Sequence, residues 1–82
     1  MTGYRFAVDV MPRDGILDPQ GRAVEAALPQ LGATTVHGVR VGRRIELTVE
    51  ADDAEAARGV VEQLAATFLA NPLVERWEIE AQ

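Results

Sequence analysis

The sequence predicts an α+β chain of element order β-α-β-β-α-β, and three observations predict it. Tyr4, Phe6, Val8 and Val10 alternate with Arg5, Ala7, Asp9 and Met11, the period of two that marks a strand with one buried face. Two stretches of helical spacing each follow an acidic start signal, Asp18-Pro19 and Asp52-Asp53. Further alternating runs beginning near Val36, Ile45 and Leu73 fall between and after those stretches.

The first strand leads through a loop, Pro12 to Leu17 with Asp14-Gly15, into the first helix. Asp18 can accept from the orphan backbone N–H groups of a helix start, and Pro19 at the first helical position has no N–H to leave unpaired. Val24, Leu28 and Leu31, supported by Ala27, recur at helical spacing, which places this helix from about 19 to 31. Pro29 lies inside the pattern, removes the bond to the Glu25 carbonyl and costs about 3 kcal/mol in a regular helix. A kink or early stop, finished by Gly32, is expected.

From Val36 a second strand reads His37, Val39 and Val41 on one face, and a third reads Ile45, Leu47 and Val49. A two-residue turn would set Val39 opposite Glu46, whereas a three-residue loop sets it opposite Leu47 and keeps the apolar faces together. A 42–44 loop pairing Val41 with Ile45 and His37 with Val49 is therefore expected. Asp52-Asp53 caps a second helix with the stripe Ala57, Val60, Val61, Leu64 and Phe68, and Asn71-Pro72 ends it. Leu73, Glu75, Trp77 and Ile79 alternate with Val74, Arg76, Glu78 and Glu80 as the final strand.

Two interleaved right-handed β-α-β units of this kind give a ferredoxin-like two-layer sandwich, an antiparallel sheet with two helices on one face. No linker or low-complexity run interrupts it, so residues 1–82 are expected to form a single domain. The uncovered face is expected to carry Arg5, Asp9, Arg40, Glu46, Thr48, Glu50, Arg76 and Glu78. Ala7, Met11 and Val36 on that face, with two open sheet edges, are the expected places for partners.

Composition narrows the function. A chain of 82 residues buries only about 60% of its unfolded surface, and without cysteine it has no disulfide to compensate, so self-association is expected. A net charge of -5 repels phosphate backbones, which argues against nucleic acid. No apolar run of about 18 residues and no basic-then-apolar leader occurs, so neither a membrane partner nor secretion is expected and the cytoplasm is the expected location.

The chain has no cysteine, serine or lysine, and Thr2, Thr34, Thr35, Thr48 and Thr67 have no nearby His/acid pattern, which leaves nothing for covalent catalysis. His37, the single histidine, reads as a packing or rim residue rather than a general base, and it excludes a Cys/His zinc cluster. Asp52-Asp53 and Glu78 with Glu80 read as a helix cap and a solvated strand face rather than as metal ligands. Gly42-Arg43-Arg44 can grip a phosphate in principle, but a solvated or partner-facing loop is the preferred reading.

Other functions of this fold order are also poorly served. An acylphosphatase-like enzyme requires a strand-borne asparagine, and Asn71 stands at a helix end. An RNA-recognition sheet requires exposed aromatics, which Ile45 to Glu50 lacks, while Trp77 reads as core or oligomer packing. No catalytic, cofactor-binding or metal site is expected, and binding is the expected work of the chain.

Three blocks, Ile16-Leu17-Asp18-Pro19-Gln20-Gly21, Val39-Arg40-Val41-Gly42-Arg43 with Glu46-Leu47-Thr48, and Leu69-Ala70-Asn71-Pro72-Leu73-Val74-Glu75, occur in order across residues 4 to 80. In these the chain resembles the PurS family, the small subunit of phosphoribosylformylglycinamidine synthase. The resemblance implies a non-catalytic bridging subunit in the fourth step of de novo purine biosynthesis, docking a glutaminase subunit and a synthetase subunit and supporting ammonia transfer. It implies a homodimer or higher homo-oligomer, and it places ATP and Mg in the synthetase rather than on this chain. Asp18, Pro19, Gln20 and Gly21 would shape the loop and helix start, and Gly42 with Arg43 the hairpin tip. The residues expected to meet partners are Asp18, Gln20, Gly21, Arg22, Arg40, Gly42, Arg43 and Arg44. Arg43 stands where the family often has lysine, which keeps the charge and alters its geometry. An ACT-like small-molecule-binding regulatory module is the alternative, suggested by the fold order and the Asp14-Gly15 loop.

Overall fold

A computed structural model describes residues 1–82. Strand β1 (Thr2–Pro12) is the centre of a three-stranded antiparallel sheet, with β2 (Arg43–Ala51) on one side and β3 (Glu75–Ala81) on the other. Phe6 stands opposite Leu47, Val8 opposite Ile45 and Ile79, and Val10 opposite Trp77. Directly opposed residues share a face, so the alternation read in β1 gathers the apolar residues of both neighbours onto one side. Phe6, Val8 and Val10 are buried there, as the alternation predicts.

Helix α2 (Ala54–Leu64) is the helix that packs on this face, over β2 and β1. Asp53 is its N-cap, with Oδ1 accepting from the Ala56 N–H at 2.7 Å, and Ala57, Val61 and Ala65 are fully buried against the sheet. Of the stripe expected on this helix, Val60, Leu64 and Phe68 instead form a second, exposed row at spacings of four residues. The helix ends in a π-helical turn, Ala65–Leu69, where the Ala70 N–H reaches the Ala65 carbonyl at 3.1 Å. Final strand pairing begins at Glu75 rather than Leu73, which is exposed.

Helix α1 (Pro19–Ala27) stops where Pro29 requires and passes into a 3₁₀ turn, Leu28–Leu31, closed by Gly32 at φ 85°. The expected second strand is not formed within the chain. Residues 33–42 contain no strand, and neither the 42–44 loop nor the pairs Val41 with Ile45 and His37 with Val49 occur. The backbone groups of this return segment are engaged elsewhere: the Gly38 N–H donates to Glu25 at 2.6 Å and the Val41 N–H donates to Asp18 at 2.9 Å. Arg40 and Val36 accordingly lie off the sheet, whereas Arg44, expected in the loop, lies within β2 opposite Asp9. There it forms ion pairs with Asp9, Glu46 and Glu80.

Residues 13–42 therefore form an arm that leaves the sheet after β1 and returns to it at β2. The molecule measures 52 × 25 × 14 Å, with a radius of gyration of 16.5 Å. A compact chain of this length has about 12 Å. Val24 and Leu31 on the arm, and Val60, Leu64 and Phe68 on α2, face outward. Val61, by contrast, is the largest side chain that the helix buries fully against the sheet. Val61→Ala is expected to cost about 2 kcal/mol, read as a lower urea midpoint with an unchanged slope.

Candidate functional site

The root of the arm, where the outgoing and returning chains meet the sheet, holds a network of charged side chains bonded to backbone. Asp18 joins the two chains. Its Oδ1 accepts from the Gly21 N–H at 3.0 Å as the helix cap, and its Oδ2 accepts from the Val41 N–H at 2.9 Å across 23 residues. These two backbone bonds hold its carboxyl below the usual range, with the charge of Arg40 adding to them. Arg40 Nε stands 3.8 Å from Asp18 Oδ2, and its Nη2 donates to the carbonyls of Pro12 and Arg13 at 2.7 and 3.0 Å. A third contact joins Nη1 to Asp14 at 3.3 Å. The returning chain is thereby pinned to the end of β1.

Two glycines make this approach possible. A Cβ on Gly21 would lie 2.4 Å from Asp18 Oδ2 and 2.5 Å from the Val39 carbonyl. One on Gly42 would lie 2.2 Å from both Met11 Sδ and the Val10 carbonyl. At both positions the obstacle includes backbone, which does not move aside.

Arg43 fastens the far side of the root. Its guanidinium grips Glu75 through two bonds, 2.7 and 3.0 Å, and also donates to the Leu69 carbonyl. Glu75 accepts in turn from the Asn71 N–H at 2.8 Å. The Arg43 contact, followed by the Asn71 N–H, holds the Glu75 carboxyl at about 2. The three sequence blocks thus converge in space. Ile16, Leu17, Asp18 and Gln20 from the first, Val41, Gly42 and Arg43 from the second, and Val74 and Glu75 from the third line one cleft of about 270 Å³. A neighbouring hollow is lined by Gly15, Ile16, Leu17, Asp18, Arg22, Val39 and Arg40.

Most of the expected site is brought together here. Asp18, Gln20, Gly42 and Arg43 line the cleft, Arg22 and Arg40 line the hollow, and Gly21 is buried beneath Asp18. Arg44 is separate, on the open face of the sheet, and no hairpin tip exists for Gly42 and Arg43 to form. The set omits Glu75, whose alternation reads only as a strand residue, and Ile16 and Leu17, the exposed apolar rim. A run of two apolar residues just before a helix cap is the signal that points to them. The cluster holds no nucleophile, and its central carboxylates are engaged by N–H groups and guanidinium. Its chemistry is to fix a shape and present an apolar edge.

The same architecture occurs in solved proteins. The chain aligns over its whole length with a chain in the structure of PurLQS from Thermotoga maritima, at a TM-score of 0.89 and 34% identity, covering 100% of both chains. The family model for PurS, phosphoribosylformylglycinamidine (FGAM) synthase, matches residues 5–82. The chain belongs to the PurS family. Among PurS subunits, that of Mycobacterium leprae is 44% identical over 77 residues, covering 92% of this chain and 91% of its own. That of Thermotoga maritima is 36% identical over 79 residues, covering 96% of each. The PurS structure from B. subtilis aligns at a TM-score of 0.82 with 34% identity over 96% of this chain and 98% of its own. These matches favour PurS over an ACT-like module.

Two expectations follow for the root. Gly42→Ala should destabilise the fold by about 1–3 kcal/mol, because the new methyl meets the Val10 carbonyl, whereas Gly59→Ala, in open space on α2, should stabilise it by about 0.5–1 kcal/mol; chemical denaturation checks both signs. Glu75, ordinarily near 4.5 and here near 2, contributes stability that is fully present above about pH 4.5 and is lost as the pH falls through 2. Glu75→Gln should therefore flatten the fall of the urea midpoint over that acid range.

Proposed function

We propose that this chain is the bridging subunit of phosphoribosylformylglycinamidine synthase, docking a glutaminase subunit and a synthetase subunit in the fourth step of de novo purine biosynthesis. The observation that carries this reading is the full-length likeness to the chain in PurLQS. The root cluster supports it, because its polar side chains are spent on shape and its apolar rim is left exposed. ATP and Mg act in the synthetase, and this chain binds neither. Holding the two partner sites together raises their effective concentration and keeps released ammonia from solvent. Asp18, Gln20, Gly21, Arg22, Arg40, Gly42 and Arg43 form the docking region around the arm root, and Arg44 belongs to the sheet face. The chain works as a single unit spanning residues 1–82 in the cytoplasm, and no helix in it is long and apolar enough to cross a membrane.

It works as a homodimer. The sheet face beside α2 leaves Trp77 and Ile79 only half-buried, and α2 turns Val60, Leu64 and Phe68 outward. The unpartnered element of matching character is α1 with the 3₁₀ turn that follows it, where Val24 on the helix and Leu28 and Leu31 on the turn are the large apolar residues. In the dimer, α1 of each copy covers the vacant half of the other's sheet, completing two sandwiches of two helices each. This exchange supplies the apolar burial that one copy lacks.

Reconstitution tests the reading. Glutamine-dependent amidation of phosphoribosylformylglycinamide by the two partner subunits should require this chain, and equal turnover without it refutes the bridge. Leu64→Ser with Phe68→Ser should leave the protomer folded by circular dichroism while sedimentation shows dissociation of the dimer.

A further inference from the structure

Exchange between copies poses a physical question of its own. An arm that folded back on its own sheet would bury much the same apolar surface as an arm lent to a partner. It would also avoid the loss of translational and rotational freedom that association costs. With equal contacts the closed monomer wins, so something at the hinge must exclude it.

The root of the arm supplies the constraint. The returning chain is held on both sides of the point where it rejoins the sheet. On the arm side, Arg40 grips the Pro12 and Arg13 carbonyls and Asp18 holds the Val41 N–H. On the sheet side, Arg43 grips Glu75 and the Leu69 carbonyl. Between the two holds lies Gly42, where there is no room for a Cβ beside Met11 and the Val10 carbonyl. Folding the arm back would turn the chain about this point, and the bonds on both sides of it oppose that turn.

We infer that Asp18 and Arg40 form a clasp that keeps the 13–42 arm open, so that the chain exchanges helices with a second copy instead of closing on itself. The inference rests on the homodimer reading. For the homodimer it makes Asp18 and Arg40 positioning residues, acting through the direction of the arm rather than by touching the second copy. Two substitutions weaken the clasp with little change of size. Asp18→Asn replaces one acceptor oxygen by an amide that meets an N–H, and Arg40→Met keeps the apolar stem while removing the grip on the carbonyls.

The chain has no cysteine, so Ala26→Cys on α1 and Glu78→Cys on β3 give two unique spin-label positions on the full-length protein. Dilution of labelled copies into excess unlabelled ones isolates the distance within one chain. With the clasp intact, electron–electron resonance should show a single long distance. In either clasp variant a second, shorter distance should appear, and the dimer dissociation constant from sedimentation should rise about tenfold. Arg40→Met leaves the Asp18 helix cap in place, so it carries the test if Asp18→Asn loses structure by circular dichroism. A wild-type chain that sediments as a monomer overturns the homodimer reading itself. A wild-type dimer whose variants keep the single long distance, with dissociation constants within about twofold, overturns the clasp alone.

Discussion

A sheet with one apolar face must have that face covered, and in this chain a single helix does the covering. With α2 in place Val8, Val10 and Val61 are fully buried, but the helix lies mainly over β2 and β1. Ten of 82 residues are buried, too few to fill both halves of a two-layer sandwich. The elongated outline, the outward row on α2 and the unattached α1 all follow from this shortage. A chain so sparsely packed leaves apolar surface for other chains to cover.

What the core lacks, the arm root replaces with directional bonds. Hydrophobic burial is indifferent to angle, whereas a carboxylate shared between two N–H groups or a guanidinium on two carbonyls holds one geometry. Asp18, Arg40 and Arg43 thus fix where the arm points without any large buried area. The arrangement is workable because the two arginine side chains stay partly in water, although Asp18 itself is largely covered. Arg40 keeps about a third of its side-chain exposure and Arg43 half, which avoids the heavy desolvation of fully buried ions.

Sequence and structure agree where the governing interactions are local. The strand β1, the Asp18 and Asp53 caps, the break before Pro29 and the alternation of Trp77 and Ile79 each depend on neighbours a few residues away, and each is legible. The hairpin at 42–44 fails because register logic assumes that adjacent alternating runs pair with each other in one chain. Val41 spends its N–H on Asp18, 23 residues back, and no local pattern signals that bond. The site fares similarly. Seven of its eight expected residues gather at the root, while Arg44 stands apart on the sheet face because no turn forms at 42–44. Glu75 is missed because a carboxylate that closes a long-range bracket looks, in sequence, like any acid on a strand.

The π-helical turn at Ala65–Leu69 has a bearing on the root that its location at the far end of α2 conceals. Such a turn holds one residue more than an α-helix uses, and each residue advances the spiral by about 100°. That surplus residue sets the azimuth at which the chain leaves the helix, and with it the heading of the Leu69 carbonyl that receives Arg43. Trimming the turn to regular α-helical pitch would swing that oxygen away while leaving every side chain of the root unaltered. The helix therefore acts as a phase-setter, and the length of a segment, as much as its composition, is written into the shape of the root.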